Sequence, residues 1–366
     1  MINIHFDSQI FLLQKYGGIS RYFSKIIEII SGEDNCSIVT PGPLIHKNGY
    51  INDNNNYNGI YFPYMPSKLV KSLFYYNNMI SNIYFRKIQP DILHETYYLK
   101  TNIKSSCLRV ITIHDMIPEL FPDLFLHDTL AMLKKSAINR ADKIICVSKN
   151  TKNDLMNYYD IEQDKISVVH HGYKIFNHKY KQKRESYLNK APFLLFVGNR
   201  NLYKNFSLLL KSYSSSKKLM NDYQIIAFGG GLFKKDEIEL INSLNIPKEK
   251  VIQLNGDDNL LSTLYSNAEA FVFPSKYEGF GMPILEAMAH CCPVICSNSG
   301  AMPEVANKAA KYFNPDSCSD LRTAIECIVY DNELKSILIN RGIEQVKQFS
   351  WSKCVQKTLN VYREKI

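Results

Sequence analysis

The segment SKYEGFGMPILEAMAHCCPVICSN (275–298) concentrates the residues best able to do chemistry. It follows an apolar strand-like run, passes Gly279 and Gly281, and enters a helical pattern with Pro283 in its first turn, where a missing N–H costs nothing. A glycine-rich approach to a helix N-terminus presents unpaired N–H groups and the positive end of the helix dipole, which together favour an anion. Glu278 stands before that helix and Glu286 one turn inside it. Helical periodicity does not make these two carboxylates a tight acid/base pair. Their spacing suits gripping hydroxyl groups on either side of a bound phosphate.

Alternating strands and helices must hold such loops in place. In the first half the strand runs are INIHF (2–6), SIVT (37–40), DILHE (91–95), RVITIH (109–114), KIICVS (143–148) and ISVVHH (166–171). In the second they are FLLFVG (193–198), QIIAFGG (224–230), VIQLNG (251–256), AFVFPS (270–275) and PVICSN (293–298). Short β-branched runs between helical patterns predict an α/β protein with two doubly wound parallel sheets. Ligands of such sheets bind beyond the carboxyl ends of the strands, here in a cleft that the two domains are expected to face. The polar, basic stretch 173–191 reads as a linker, which sets domains at 1–172 and 192–348 and a terminal helix at 349–366. INDNNNYNG (51–59) reads as a loop.

Composition narrows the class. The chain has 366 residues, 45% of them apolar and 22% charged, which excludes collagen-like and disordered chains. No run reaches the roughly 18 apolar residues of a membrane-spanning helix. The opening lacks a basic n-region and carries Asp7 in its apolar run, so no secretory leader is expected. Nine scattered cysteines without a CxxC pair predict reduced thiols and a cytoplasmic protein. Residues 1–190 hold 24 Lys and Arg against 17 Asp and Glu, a balance of +7, whereas residues 191–366 balance at +2. The basic first half is open to an acidic partner such as an anionic lipid surface, a phosphorylated lipid carrier or nucleic acid. Within it, residues 64–88 interleave Lys68, Lys71, Arg86 and Lys87 with Leu69, Phe74, Tyr75, Ile80, Tyr84 and Phe85. That pattern fits a helix lying in a lipid interface, and equally a helix packed on its own sheet.

EGFGMPILEAMA, with Glu278 and Glu286 eight residues apart, resembles the signature of the family 4 retaining glycosyltransferases, which have the two-domain GT-B fold. YGGISRYF (16–23), VITIHDMIPELFP (110–122), ADKIICVSKNTKNDL (141–155), ISVVHHG (166–172), VGNRNLYKNF (197–206) and MPEVANKAAKYFNP (302–315) resemble the family in the same order. FSWSKCVQKTLNVY (349–362) resembles its closing helix, which crosses back to the first domain.

The resemblance implies roles residue by residue. Glu278 would bind hydroxyls of the donor sugar and Glu286 the ribose of its nucleotide. Backbone N–H groups of Gly279, Phe280, Gly281 and Met282, ahead of Pro283, would take the distal phosphate. Arg200 and Lys204, just past a strand end, would clamp the diphosphate. Gly17 and Gly18 would let backbone approach the donor phosphates or the acceptor. His114 matches the family histidine near the reacting carbon, with Asp115 orienting it, and His94 and Glu95 are candidates for the acceptor. His290-Cys291-Cys292 replaces the usual Cys-Gly after the Glu286 helix, which predicts a different helix-terminal turn. No Asp-x-Asp metal motif is in place, and Asp257-Asp258 do not read as ligands. A metal-independent retaining hexosyltransferase is therefore expected, with no cofactor and no nucleic-acid partner. It would use a nucleotide-sugar donor, GDP-mannose ahead of UDP-sugars, and a glycan or lipid-linked acceptor. It is expected in the cytoplasm, on the inner face of a membrane if it associates with one. A nucleotide-binding oxidoreductase is disfavoured because GGISRY is no G-x-G-x-x-G. A non-catalytic nucleotide-sugar-binding relative, an epimerase and a phosphorylase of the same fold are the remaining alternatives.

Overall fold

The structure, a computed structural model, describes residues 1–40, 44–52, 57, 59–101, 103, 106–126, 129–173, 191–200 and 202–364. Most of the expected linker (174–190) and part of the Asn-rich stretch (53–56 and 58) lie outside the described residues. The chain divides into two compact units, Met1–Gly172 with Trp351–Ile366, and Tyr173–Ser350.

The first unit is built on six parallel strands, β1 (Ile2–Phe6), β2 (Cys36–Ile38), β5 (Ile92–Glu95), β6 (Leu108–Ile113), β7 (Lys143–Cys146) and β8 (Ile166–Val168), in the order β2-β1-β5-β6-β7-β8. In register, Ile4 of β1 lies between Ile38 of β2 and Ile92 of β5. A small parallel pair, β3 (Leu44–His46) and β4 (Gly59–Tyr61), stands apart from this sheet. The helix Gly18–Ile30 buries Tyr22, Phe23, Ile26, Ile27 and Ile30, the 3–4 spacing that lays one helix face on a core. The same core takes Cys354, Val355, Leu359, Val361 and Tyr362 from the helix Trp351–Arg363. The end of the chain thus completes the unit that its beginning starts, as the resemblance implies. At Gly172 a Cβ would fall 2.4 Å from the Trp351 backbone, so glycine is what permits this closure. Phe349 stays with the second unit, where its carbonyl accepts the Tyr173 N–H at 2.9 Å and its ring meets Phe280.

The second unit also carries six parallel strands: β9 (Phe193–Val197), β10 (Gln224–Phe228), β11 (Val251–Leu254), β12 (Ala270–Phe273), β13 (Val294–Ser297) and β14 (Ala310–Phe313), ordered β11-β10-β9-β12-β13-β14. Every residue of β9, β10, β12 and β13 is buried, as near-continuous apolar runs covered on both faces require. Strand order reverses between β9 and β12, and the loops leaving these two strands carry Lys204 and Glu278. Three strands were not expected. β14 is an edge strand whose Ala-Lys-Tyr-Phe lacks an apolar run, and β3 and β4 are three residues each with polar neighbours.

Candidate active site

The loop after β12 is held from outside by backbone and serine contacts. Ser297 donates through Oγ to the Ser275 carbonyl (2.6 Å), Ser299 to the Lys276 carbonyl (2.6 Å), and the Ala301 N–H to the Glu278 carbonyl (3.1 Å). Gly300, at φ +59°, makes the last contact possible, since a Cβ there would lie 2.9 Å from both Glu278 N and O. Phe280 is buried edge-on against Phe349 (5.7 Å between centroids). Gly281, at φ +94°, caps the helix Met282–Ala289, which opens with Pro283 in its first turn. Gly279, Phe280, Gly281, Met282 and Pro283 therefore form a tight entry into this helix.

Lys204 closes a short 3-10 turn after β9, followed by Asn205 in the left-handed conformation. The Tyr203 carbonyl accepts the Lys276 N–H at 2.7 Å, which clasps the two switch-point loops together. Lys204 Nζ donates to Glu278 Oε1 at 2.6 Å, and the two side chains retain 16% and 11% exposure. This is an ion pair at the rim of the sheet, open enough for other charges to exchange into it. Glu286, half-buried on the helix, accepts a hydrogen bond from the Tyr265 hydroxyl at 3.2 Å.

Arg200 is not brought to this pair, which corrects the expectation of a two-cation clamp. Its Nε donates to Glu237 Oε1 at 2.6 Å, its Nη1 to the Gly229 carbonyl at 2.7 Å, and its Nη2 to the carbonyls of Gly231 and Leu232 at 3.0 Å. A guanidinium 2% exposed, neutralised by a carboxylate and holding a run of positive-φ glycines, is a strut for the loop after β10. The helix-terminal turn after Glu286 is a second correction. Cys291 takes the left-handed conformation (φ +55°) that a glycine would, and the Cys292 N–H reaches back to the Ala287 carbonyl, so the turn keeps its shape despite the missing glycine. Asp257 accepts the Leu260 N–H as a helix N-cap.

In the first unit, two expected acceptor residues are structural. His94 is fully buried, its Nδ1 bonded to the Tyr362 hydroxyl (2.6 Å) and its Nε2 to Thr112 Oγ1 (2.8 Å). Glu95, 1% exposed, pairs with Arg109 (2.7 Å) and Arg140 (2.5 Å). Both side chains are buried at the end of β5, where neighbouring side chains fill their hydrogen-bonding capacity. Gly17 caps the helix Gly18–Ile30 in an extended conformation, and a Cβ there would meet Gln14, whose Oε1 accepts the Ser20 N–H; nothing stands within 4 Å of a Cβ on Gly18.

His114 follows β6. Its N–H donates to the Tyr98 hydroxyl (3.2 Å), and the next carbonyl, of Asp115, accepts from Lys134 Nζ (2.8 Å). Lys134 is wholly buried and pairs with buried Glu119 at 2.8 Å. The His114 ring lies parallel to His171 at 5.8 Å, with Tyr22 edge-on to both. Burial first, then the neighbouring His171, His94 and Lys134, hold the His114 imidazole well below its ordinary pKa, so it is neutral at pH 7. Among the described residues its Nε2 has no hydrogen-bond partner. Sequence reading passed over His171 and Tyr265. His171 ends a strand run beside Gly172, and Tyr265 is one aromatic on an amphipathic helix, so neither carries a local mark of a site.

Known proteins carry the same pattern. The family model for Glycosyltransferase Family 4 matches residues 16–175, and that for Glycosyl transferases group 1 matches residues 178–345. O-antigen chain mannosyltransferase B of Escherichia coli is 27% identical over 276 residues, covering 69% of this chain and 70% of that protein. O-antigen chain mannosyltransferase RfbU of Salmonella typhimurium is 32% identical over 224 residues, and this chain spans only 60% of its length, with 60% of this chain covered. The sucrose-phosphate synthase structure from Thermosynechococcus elongatus superimposes with a TM-score of 0.77 at 18% identity, over 100% of this chain and 99% of that one, a likeness of fold. With two family models meeting end to end along it and the paired glutamates in place, the chain belongs to the family 4 glycosyltransferases of GT-B fold.

Proposed function

We propose that this protein is a retaining hexosyltransferase that moves a sugar from a nucleotide-diphosphate sugar to a glycan or lipid-linked saccharide. The carrying observation is the Lys204–Glu278 pair at the β9/β12 reversal, beside the helix entered at Met282. Cleavage of the sugar–phosphate bond builds negative charge on the departing diphosphate. Lys204 and the N–H groups at that helix start neutralise it from preorganised positions. Glu278 exchanges Lys204 for sugar hydroxyls, and Glu286 takes ribose hydroxyls. The acceptor hydroxyl gives its proton to the leaving phosphate oxygen while the new glycosidic bond forms on the same face, so no separate strong base is required. The neutral imidazole of His114 hydrogen-bonds the donor sugar without adding positive charge. The names of the two O-antigen mannosyltransferases favour GDP-mannose as donor, with UDP-sugars second.

The test is a donor panel of GDP-, UDP-, dTDP- and ADP-sugars with and without acceptor, read by product formation, anomeric configuration and activity in EDTA. Retention with GDP-mannose and persistence in EDTA are expected. An inverted product, or complete loss in EDTA restored by Mg²⁺ or Mn²⁺, overturns the mechanism. Binding without turnover of any donor favours the non-catalytic relative.

We also propose peripheral binding to the cytoplasmic face of an anionic membrane through the helix Ser67–Phe85. Phe74 and Phe85, read from sequence as apolar anchors, are buried with Asn77, Asn78 and Ser81 on its inner face. The outer face exposes Tyr75, Met79 and Ile83 at four-residue spacing, flanked by exposed Lys68, Lys71, Arg86 and Lys87. Sedimentation with anionic liposomes at low salt should fall with Met79→Ser/Ile83→Ser and with added salt. A protein that stays in the supernatant at low salt has no such surface.

A further inference from the structure

Glu286 is gripped at both ends. Its carbonyl accepts the backbone N–H of His290 (3.2 Å) and is bonded by His290 Nδ1 (2.7 Å). Its carboxylate accepts the hydroxyl of Tyr265, which lies near the end of the helix Asp258–Asn267. The rings of Tyr265 and His290 lie 5.6 Å apart and within 21° of parallel, and Phe271 of β12 meets Tyr265 edge-on at 5.4 Å. Tyr265 is 1% exposed, so its ring has no room to swing and its hydroxyl direction is set. Burial and the adjacent Glu286 carboxylate hold the phenol proton far above the ordinary range, which makes Tyr265 a permanent donor.

A glutamate side chain turns about three bonds, and a half-buried one has several rotamers to choose among. We propose that Tyr265 is a positioning residue for nucleotide recognition: by donating to Glu286 Oε2 it fixes the carboxylate in the rotamer that accepts ribose hydroxyls. The inference rests on the reading of Glu286 as the ribose ligand. Tyr265 touches no part of the donor itself. Its contribution is orientation, and so it shows up in discrimination between nucleotides with and without ribose hydroxyls.

The experiment measures calorimetric Kd values for GDP and UDP, each beside its 2′,3′-dideoxy form, on the full chain and on Tyr265→Phe and Glu286→Ala. Tyr265→Phe keeps the ring packing and removes only the hydroxyl, and thermal melting checks that it remains folded. The wild type should prefer the ribo form, and Tyr265→Phe should shrink that preference about tenfold, in line with one hydrogen bond to a charged group. Affinity for the dideoxy forms should stay unchanged. A preference intact in Tyr265→Phe but lost in Glu286→Ala overturns the positioning role alone. A preference intact in both overturns the ribose reading and the inference with it. Equal weakening of ribo and dideoxy forms in Tyr265→Phe shows a merely structural tyrosine and also overturns the proposal.

Discussion

In the first unit the strand order reverses between β1 and β5, and there Asp7 accepts from the Thr96 hydroxyl (2.6 Å), the Thr96 N–H (3.0 Å) and the Gln9 amide nitrogen (2.6 Å), while Gln9 Oε1 takes the Leu99 N–H (2.7 Å). In the second unit the reversal lies between β9 and β12, and the same position holds Lys204 and Glu278. The geometry of a strand reversal offers a crevice to a ligand in either case. What differs is how the crevice is filled. Asp7, Gln9 and Thr96 are all buried, and each bond is to a neighbour that cannot leave. Lys204 and Glu278 are held by backbone clasps behind them, but their charged tips meet each other at a partly exposed rim, where the proposed donor would replace each partner with phosphate or hydroxyl. A reversal becomes a site only where its polar groups are left with replaceable partners.

The sharpest break between the units should appear on acidification. His5, His46, His94, His114 and His171, all in the first unit, are buried and held below the ordinary histidine value, His5 and His46 to about 4 and His94 and His171 to about 3. The unfolded chain therefore binds protons that the folded unit refuses, and stability falls as pH drops below about 6.5 toward these folded values. Asp7, raised to about 6 by burial and by Glu95, runs the other way, because its neutral form is favoured in the fold. Five histidines outweigh one carboxyl, at up to ~1.4 kcal/mol per pH unit for each. The first unit should lose several kcal/mol between pH 7 and pH 5. Trp351, the only tryptophan, packs in this unit, so its emission in urea titrations at the two pH values reads the loss. An unchanged midpoint would mean that these imidazoles take up protons without unfolding.

Next in size is the contrast between the two cations of the second unit. Lys204→Ala should reduce kcat/KM by about 2–4 kcal/mol with little change in melting temperature, the cost of removing one preorganised donor to a developing anion. Arg200→Ala removes a nearly fully buried guanidinium that also holds the carbonyls of Gly229, Gly231 and Leu232, and should instead cost about 3 kcal/mol of stability, with a smaller effect on turnover of the folded fraction. Equal catalytic losses and unaltered stability in both variants would restore the two-cation clamp. Gly300→Ala sharpens the same point from the backbone side. A methyl 2.9 Å from Glu278 N and O must displace the loop, so about 1–3 kcal/mol of stability and most of the activity should go together, checked by melting and donor turnover. The smallest effect should be a gain: Cys291→Gly relieves a left-handed non-glycine residue and should stabilise the second unit by up to ~1 kcal/mol in a urea titration, without altering turnover.

Much of this molecule could be read without coordinates, for reasons that differ by element. The central strands of the second sheet are near-continuous apolar runs because both faces are covered, and such runs stand out. β14, β3 and β4 escaped because edge and accessory strands need no continuous apolar run. Glu278 and Glu286 were legible from the glycines and proline around them. Arg200 was misread because position past a strand end does not say which carboxylate lies nearby: Glu237 is 37 residues away in sequence. His94 and Glu95 were placed in the right strand, but their partners (Tyr362 and Thr112 for one, Arg109 and Arg140 for the other) come from segments that no local pattern links to β5. Tyr265 and His171 meet Glu286 and His114, which are remote in sequence, and no local pattern marks such a partner.

The route of the chain has a consequence for its synthesis. Most of the first unit precedes the second in sequence, yet the helix Trp351–Arg363 that closes its core is translated only after the whole of the second unit. At ~5–20 residues per second, the intervening stretch of about 180 residues takes roughly 10–35 s. During that interval the surface that will receive Val355, Leu359 and Tyr362 is bare, while the second unit, continuous in sequence, can fold as it emerges. The nascent chain should therefore depend on chaperones through its first half, and ribosome-bound intermediates halted before residue 351 should expose that half to protease.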